Sequence, residues 1–164
     1  MKRLFLVRHA KSSWKDAEMP DFERPLNKRG ERDAPAMGAR LASRKVRPDG
    51  LISSGALRAI TTARALAEAM GYPADRIVVD DGVYGTDAGD LLALIRKVDN
   101  AWESVMVVGH NPTMTDLINA LTDTIIDNMP TCGVAEIVFD GDDWAKIDVG
   151  AGRVVAFDCP KHGD

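Results

Sequence analysis

Residues 4–14, LFLVRHAKSSW, place four apolar side chains directly before an arginine and a histidine. The apolar run predicts a buried strand over residues 2–7, so that Arg8 and His9 follow its carboxyl end. Buried strands more often end in a turn residue than in two cation-capable side chains. His9 is therefore either a reactive group presented at a strand end or simply the first polar residue after a buried strand. The dipeptide alone does not decide between these two interpretations.

The chain has 164 residues, a length typical of one domain, and we expect residues 1–164 to form a single domain. Hydrophobic residues make up 45% and charged residues 28%, as in globular proteins. No apolar run approaches the ~20 residues of a membrane span, and the N-terminal apolar stretch is too short for a secretory signal. Cys132 and Cys159 form neither a CxxC pair nor a disulfide framework. We therefore expect a cytoplasmic protein with no membrane partner.

Charge is distributed unevenly along the chain. The net charge of −4 argues against a nucleic-acid partner. Residues 1–71 carry fifteen Lys and Arg against eight Asp and Glu, whereas residues 72–164 carry six against seventeen. The asymmetry fits either positive charge gathered around an anionic ligand or a chance difference between helix surfaces.

Strands alternate with helices along most of the chain. Further strands are predicted at 49–54, 76–79 and 104–109, and helices at 27–44, 57–70, 88–99 and 112–121. Asn27 and Asn111 are predicted N-caps, and Gly71 is predicted to end the second helix. That helix is predicted to bury one face, formed by Leu57, Ile60, Ala63, Leu66 and Met70.

The last forty residues change character. Their sequence contains VAEIVFD (134–140), WAKIDV (144–149) and RVVAFD (153–158), which predict strands joined by short turns. The whole pattern predicts an α/β fold, with a mostly parallel sheet covered by helices and antiparallel strands added late.

Ligands of open α/β sheets bind at the carboxyl ends of the strands. Arg8 and His9 follow the first strand, Arg58 lies in the first turn of the helix after the second, and His110 follows the strand at 104–109. Two of these groups also lie at helix N-termini, which favour an anion. A lone histidine is often a core residue, but this joint arrangement favours a site.

The residue types indicate phosphoryl chemistry. The planar guanidinium of arginine matches phosphate oxygens in a bidentate manner. A neutral histidine whose other ring nitrogen is held by a hydrogen bond can attack phosphorus. Positive charge on the phosphoryl oxygens supplies much of the catalysis of such transfers.

Four blocks extend the pattern, namely LVRHA, RPLNKRG (24–30), SSGALRAITTA (53–63) and VVGHNP (107–112). Together they resemble the histidine phosphatase (phosphoglycerate mutase-like) superfamily over about residues 3–120. The RHAKSSW opening and the small size resemble the SixA-type phosphohistidine phosphatases. The resemblance implies a three-layer α/β/α sandwich and no metal or other cofactor. It implies a phosphorylated substrate such as a histidine-phosphorylated signalling protein.

Residue by residue, the resemblance implies that His9 is the nucleophile that becomes phosphorylated. Arg8, Arg58 and His110 would form the phosphate pocket. Asp81, with Asp80 beside it, is the candidate for the general acid that many members place after the third strand; both are alternatively part of a solvated acidic turn. Ala10 and Asn27 depart from the glycine and threonine that are usual in the family.

The segment 11–26 is long for a connection between a strand and a helix, and it lies at the active edge. We expect it to contact the substrate, with Lys11, Ser12 and Lys15 near the phosphate; alternatively they are solvated loop residues. No long insertion is present to build a lid. An open site suits a substrate carried by another protein, and an imidazole leaving group needs less acid assistance than an alkoxide.

Competing chemistries lack their motifs. Cys132 is followed by Val138 where a cysteine phosphatase has arginine, and no GxxxxGK[ST] occurs. FDGDDW (139–144) lacks the context of an aspartate nucleophile, and no ligand spacing indicates a metal site. Three alternatives remain, namely a phosphatase acting through phospho-His9 on protein phosphohistidine, a small-molecule phosphomonoesterase, and a phosphate-binding module without turnover.

Overall fold

A six-stranded mixed sheet forms the centre of the computed structural model, which describes residues 1–163. The strands are β1 (Lys2–Arg8), β2 (Gly50–Ser53), β3 (Val78–Val79), β4 (Ser104–Gly109), β5 (Val134–Phe139) and β6 (Arg153–Asp158). Their order across the sheet is β3-β2-β4-β1-β5-β6. The first four in this order run parallel, whereas β5 is antiparallel to both β1 and β6. The predicted sheet is therefore confirmed, while a single domain over residues 1–164 stays a prediction, and Asp164 lies outside the described residues.

Helices cover both faces of the sheet. They are α1 (Lys28–Ser43), α2 (Leu57–Met70), α3 (Ala88–Ile95) and α4 (Thr113–Leu121). Because side chains of a strand alternate between faces, Phe5 and Val7 of β1 pack in one core with α1 and α2. Leu4 and Leu6 pack in a second core with α3 and α4. The result is the expected three-layer α/β/α sandwich, and none of these helices is long and apolar enough to cross a membrane.

Capping signals place the helix ends close to their predicted positions. The Asn27 side chain accepts a hydrogen bond from the Gly30 N–H at 2.9 Å at the start of α1, an interaction whose loss typically costs about 1 kcal/mol. Gly71 ends α2 in the left-handed conformation, with φ of 74°. At α4 the N-cap position is occupied by Pro112, and the Asn111 side chain accepts from a first-turn N–H at 3.3 Å.

The predicted strand at 144–149 is wrong. Trp144–Lys146 forms a short 3-10 turn, which the Asp143 side chain caps by accepting from the Ala145 N–H at 3.0 Å. Trp144 is completely buried, and its indole N–H donates to the Trp102 carbonyl at 2.7 Å. Burial of this large ring, together with the cap, outweighs the alternating pattern on which the strand prediction rested.

Smaller differences concern element limits and one helix face. The helix predicted to reach residue 99 ends at Ile95, and the third strand shortens to Val78–Val79 because residues 74–76 form a 3-10 turn. Leu57 is 40% exposed, whereas the other four residues of the predicted α2 face are buried. Leu57 is the first residue of α2, at the same edge of the sheet as Arg58.

Candidate active site

Three parallel strands end side by side at the predicted edge of the sheet. Arg8 at the end of β1 lies opposite Gly109 at the end of β4, and the His9 N–H donates to the Gly109 carbonyl at 3.0 Å. The ring centroids of His9 and His110 are 5.1 Å apart. Arg58, from the first turn of α2, places its Nε 3.4 Å from His9 Nε2. The structure thus brings all four of these predicted side chains together.

These four side chains line a cavity of about 220 Å³. Ser12, a predicted phosphate contact, is also in the lining and is buried. Three further lining residues had no predicted role in the site, namely Trp14, Asn111 and Thr131. Lys11 completes the lining.

The structure does not bring Lys15 or Asp81 into this cavity. Lys15 is exposed and lines a separate groove with residues 25–29. Asp81 is exposed on the 3-10 turn after β3, and its carboxylate lies beside Gly55. The Asp80 carboxylate accepts the Gly82 N–H at 2.8 Å and so caps this turn. The two acidic residues therefore form the turn that was the alternative interpretation.

His9 is held in one orientation by its own chain. The ring is buried, and its Nδ1 lies 2.7 Å from the Ala10 carbonyl oxygen. A carbonyl oxygen only accepts, so Nδ1 carries a proton. Burial lowers the pKa of His9 to about 4, with the Ala10 carbonyl opposing the shift and the Arg58 charge adding to it. At neutral pH the ring is neutral, and its Nε2 lone pair accepts from Arg58.

Arg58 binds a residue that no sequence motif indicates. Its Nη1 donates to the Asp21 carbonyl at 2.6 Å, and its Nη2 donates to the Asp21 carboxylate at 2.9 Å. The Tyr84 O–H donates to the same carboxylate oxygen at 2.7 Å. The hydrogen bond from Tyr84 and then that from Arg58 lower the pKa of Asp21, so this carboxylate is ionised at neutral pH. Its position within the segment 11–26 was the only signal that could have suggested it.

Arg8, at the end of β1, also lines the cavity. Its Nη1 donates to the Met129 carbonyl at 2.7 Å. Its Nε is buried and has no hydrogen-bond partner among the described residues. Burial lowers the pKa of Arg8 from its usual value, but a guanidinium remains charged at neutral pH.

His110 is the second neutral ring of the site. Its Nε2 shares a hydrogen bond with the Ser54 Oγ at 2.8 Å, and that hydroxyl also accepts the Ala56 N–H at 3.1 Å. Burial, followed by the charge of His9, lowers the pKa of His110 to about 3. Its buried Nδ1 has no partner within the described part of the chain. Ser54 therefore orients His110. The two residues meet because β2, which precedes Ser54, pairs with β4, which precedes His110.

A metal site is not evident from the donor geometry. Within the described residues, no group of three His, Cys, Asp or Glu side chains is arranged to hold a metal ion. Both described cysteines are free thiols, and burial raises the pKa of Cys132 to about 12. That no cofactor is required stays a prediction.

Comparison with known proteins identifies the family. Residues 4–94 match the histidine phosphatase superfamily (branch 1). Protein Rv1276c of Mycobacterium tuberculosis is 31% identical, over 94% of this chain and all of that protein. The chain belongs to the histidine phosphatase superfamily. A chloroplastic protein of Arabidopsis thaliana is 30% identical, over 88% of this chain and 70% of that protein.

Solved structures share the whole fold. SixA from Agrobacterium tumefaciens is 31% identical, with 97% of this chain and 98% of that chain covered and a TM-score of 0.82. The protein histidine phosphatase SixA complexed with tungstate is 22% identical, with 99% of both chains covered and a TM-score of 0.83. The family and these SixA neighbours identify the protein as a phosphatase, and the SixA-type resemblance seen in the sequence is confirmed.

Proposed function

We propose that this phosphatase hydrolyses phosphohistidine on a partner protein in the cytoplasm. It acts through a covalent intermediate on His9, without a metal ion or other cofactor. One observation carries the proposal, namely the hydrogen bond between His9 Nδ1 and the Ala10 carbonyl at 2.7 Å. It keeps the neutral ring in the tautomer whose Nε2 carries the lone pair that attack on phosphorus requires.

In the first step, the Nε2 lone pair of His9 forms a bond to phosphorus while the P–N bond of the substrate breaks. The bonding electron pair leaves with the substrate nitrogen. A phosphohistidine ring protonated on its other nitrogen departs as neutral imidazole and needs no further proton. The His9 ring becomes positively charged as the new bond forms, and the Ala10 carbonyl stabilises that charge through Nδ1–H.

In the second step, a water oxygen bonds to phosphorus and the P–Nε2 bond breaks, so the electron pair returns to His9. The proton lost by the water passes to the released phosphate or to solvent. Arg8, Arg58 and His110 are proposed to hold the phosphoryl oxygens throughout, because charge on these oxygens needs fixed donors in both steps. The unpaired Nε of Arg8 and Nδ1 of His110 are the polar atoms with capacity for such contacts.

The acid–base groups favour phosphohistidine over a phosphate ester. An alkoxide leaving group needs a proton donor, but no carboxyl group lines the cavity within the described residues. Asp21, the nearest carboxylate to Arg58, has its pKa lowered by Tyr84 and Arg58 and is ionised. Asp81 lies outside the cavity lining, so neither residue is placed as a proton donor.

Trapping of the intermediate tests the mechanism. We expect the wild-type protein, mixed briefly with a ³²P-labelled phosphohistidine peptide, to acquire acid-labile, base-stable label that mass spectrometry locates on His9. His9→Ala should acquire none, whereas His110→Ala should still label His9, more slowly. Turnover that survives His9→Ala would contradict the mechanism.

A substrate panel tests the specificity separately. With matched peptides carrying phosphohistidine or phosphoserine, we expect kcat/KM to be at least about tenfold higher for phosphohistidine, since only the ester leaves as an alkoxide that needs acid assistance. An equal or higher value for phosphoserine, or for a small phosphomonoester, would assign the protein to the alternative of a phosphomonoesterase.

A further inference from the structure

A second cavity, of about 390 Å³, adjoins the active-site cavity and shares Arg8, Lys11 and Thr131 with it. We refer to it as the flanking cavity. Its lining adds Arg29, from the first turn of α1, and Lys161. Four cationic side chains therefore line it, and no carboxylate does so among the described residues.

Backbone contacts hold these cations in place. The Lys11 carbonyl accepts the Asn27 N–H at 2.9 Å, and a side chain at Gly30 would overlap that carbonyl oxygen. The start of α1, and with it Arg29, is thereby packed against Lys11. On the other side, Arg40 donates at 2.7 Å to the carbonyl oxygens of both residues that precede Lys161.

The charges of the flanking cavity are only partly compensated. Arg29 Nε lies 3.4 Å from an oxygen of Asp33, a residue of α1 outside the lining. Lys11 and Lys161 form no ion pair within residues 1–161. Cations gathered in one concave surface repel one another and create a positive potential that attracts an anion.

We propose that the flanking cavity is a second anion subsite. It binds a carboxylate or phosphate that the substrate carries beside the phosphoryl group being transferred. The inference rests on the proposed function, which makes this group an Asp or Glu side chain close to the phosphohistidine. Arg8 contributes to both cavities, so the two anionic groups would be bound side by side. The subsite would select acidic surfaces around the target histidine.

Two peptides that differ only in charge test the subsite. Both carry phosphohistidine, one with Glu and one with Gln at the two positions on either side. We expect wild-type kcat/KM at low salt to be about fivefold higher for the Glu peptide, in keeping with the modest strength of partly exposed ion pairs. In the double variant Arg29→Gln/Lys161→Gln the ratio should fall to nearly one, with kcat/KM for the Gln peptide unchanged within about twofold.

Arg32→Gln is the matched control. Arg32 lies on the same helix and contacts the same Asp33 carboxylate at 3.3 Å, but it does not line the flanking cavity. The Arg32→Gln variant should retain the wild-type ratio. In 1 M NaCl the Debye length falls to about 3 Å, so the exposed charges are screened and the preference for the Glu peptide should disappear. A wild-type ratio of one, a ratio that survives in the double variant, or the same loss in Arg32→Gln would overturn the proposal.

Failure of the subsite and failure of the proposed function are distinguishable. Hydrolysis of an aryl phosphate but of neither phosphohistidine peptide would refute the proposed substrate. The subsite would then be tested with two small phosphomonoesters that differ by a second phosphate, in the same variants. A preference for the doubly charged ester that Arg29→Gln/Lys161→Gln removes would support the subsite, and equal rates would refute it.

Discussion

The two ends of β1 open onto cavities that differ in how far carboxylates compensate their cations. The cavity at the amino end is the larger, at about 530 Å³, and its charged lining residues are Arg3, Arg44, Lys45, Arg47, Asp49, Glu103 and Glu136. The buried Glu136 carboxylate lies between Arg3 and Arg44, with Arg44 Nη2 2.8 Å from one oxygen. At the carboxyl end, the active-site cavity has cations and two neutral histidines but no carboxylate among its described lining residues.

The difference shows why cavity size does not identify the site in this molecule. Cations matched by carboxylates already have their counter-ions, and such clusters contribute to structure more than to binding. At the active-site cavity Arg58 has such a carboxylate partner in Asp21, whereas Arg8 and Lys11 form no ion pair among the described residues and retain their potential for an incoming anion. The active-site cavity also contains His9 and His110, whose pKa values are lowered to about 4 and about 3, so both rings are neutral at neutral pH. Charge balance and proton state therefore distinguish the reactive end from the structural end.

The largest expected effect is the difference in kcat/KM between one substitution at the carboxyl end of β1 and one at its amino end. His9→Ala should reduce kcat/KM by roughly 10⁴-fold or more, because the proposed nucleophile is lost. Glu136→Gln should leave kcat/KM within about twofold and lower the free energy of unfolding by about 1–2 kcal/mol, since Arg3 and Arg44 lose their shared partner. Steady-state kinetics and urea denaturation measure the two effects. A tenfold loss of kcat/KM in a folded Glu136→Gln variant would contradict the purely structural role of the amino-end cavity.

Arg58→Ala should lower kcat/KM by about 10²- to 10³-fold, the usual cost of removing one charged donor to the transferred group. Arg58→Lys should recover only a small part of this loss, because an ammonium group lacks the bidentate geometry. Arg47→Ala, at the amino-end cavity, is the control and should remain fully active. Equal rates for Arg58→Lys and wild type would show that charge alone is needed there.

Tyr84→Phe tests whether the Asp21 contact tunes the reactive end. Loss of the phenolic O–H removes the first cause of the lowered pKa of Asp21, so that pKa should rise towards its ordinary value. We expect about a twofold to fivefold fall in kcat/KM, because Asp21, the partner of Arg58, loses one of the hydrogen bonds that hold it. Carboxyl ¹³C NMR titration measures the pKa, and an unchanged Asp21 would contradict the contact.

The smallest expected effect is an absence of titration near neutrality. Because the pKa of His9 is lowered to about 4, its imidazole NMR signals should not shift between pH 8 and pH 5, where an ordinary histidine titrates near 6.5. The unfolded chain does take up a proton in that range. Stability should therefore fall as pH drops from about 6.5 towards 4, and His9→Ala should reduce this slope. A His9 titration near 6.5 would place the ring in an exposed setting.

Most of the fold was predictable because its signals are local. Apolar runs predicted β1 and β4 within a residue, and Asn27 and Gly71 predicted helix ends, since capping and hydrophobic periodicity act over a few residues. The strand predicted at 144–149 was wrong because the interaction that decides its structure is not local. Trp144 is buried by contacts with Trp102, a partner distant in the chain, which the alternating pattern of the segment does not reveal.

The sequence alone determined that Arg8, His9, Arg58 and His110 meet, because the carboxyl ends of adjacent parallel strands share one edge of the sheet. Only the tertiary structure decided which loop residues join them. Asp21 contacts Arg58 and Tyr84, which are 37 and 63 residues away in the chain, while Lys15 and Asp81 lie outside the cavity. Loop side chains are positioned by long-range packing rather than by local periodicity, so their contacts follow from the closed fold and not from the order of residues.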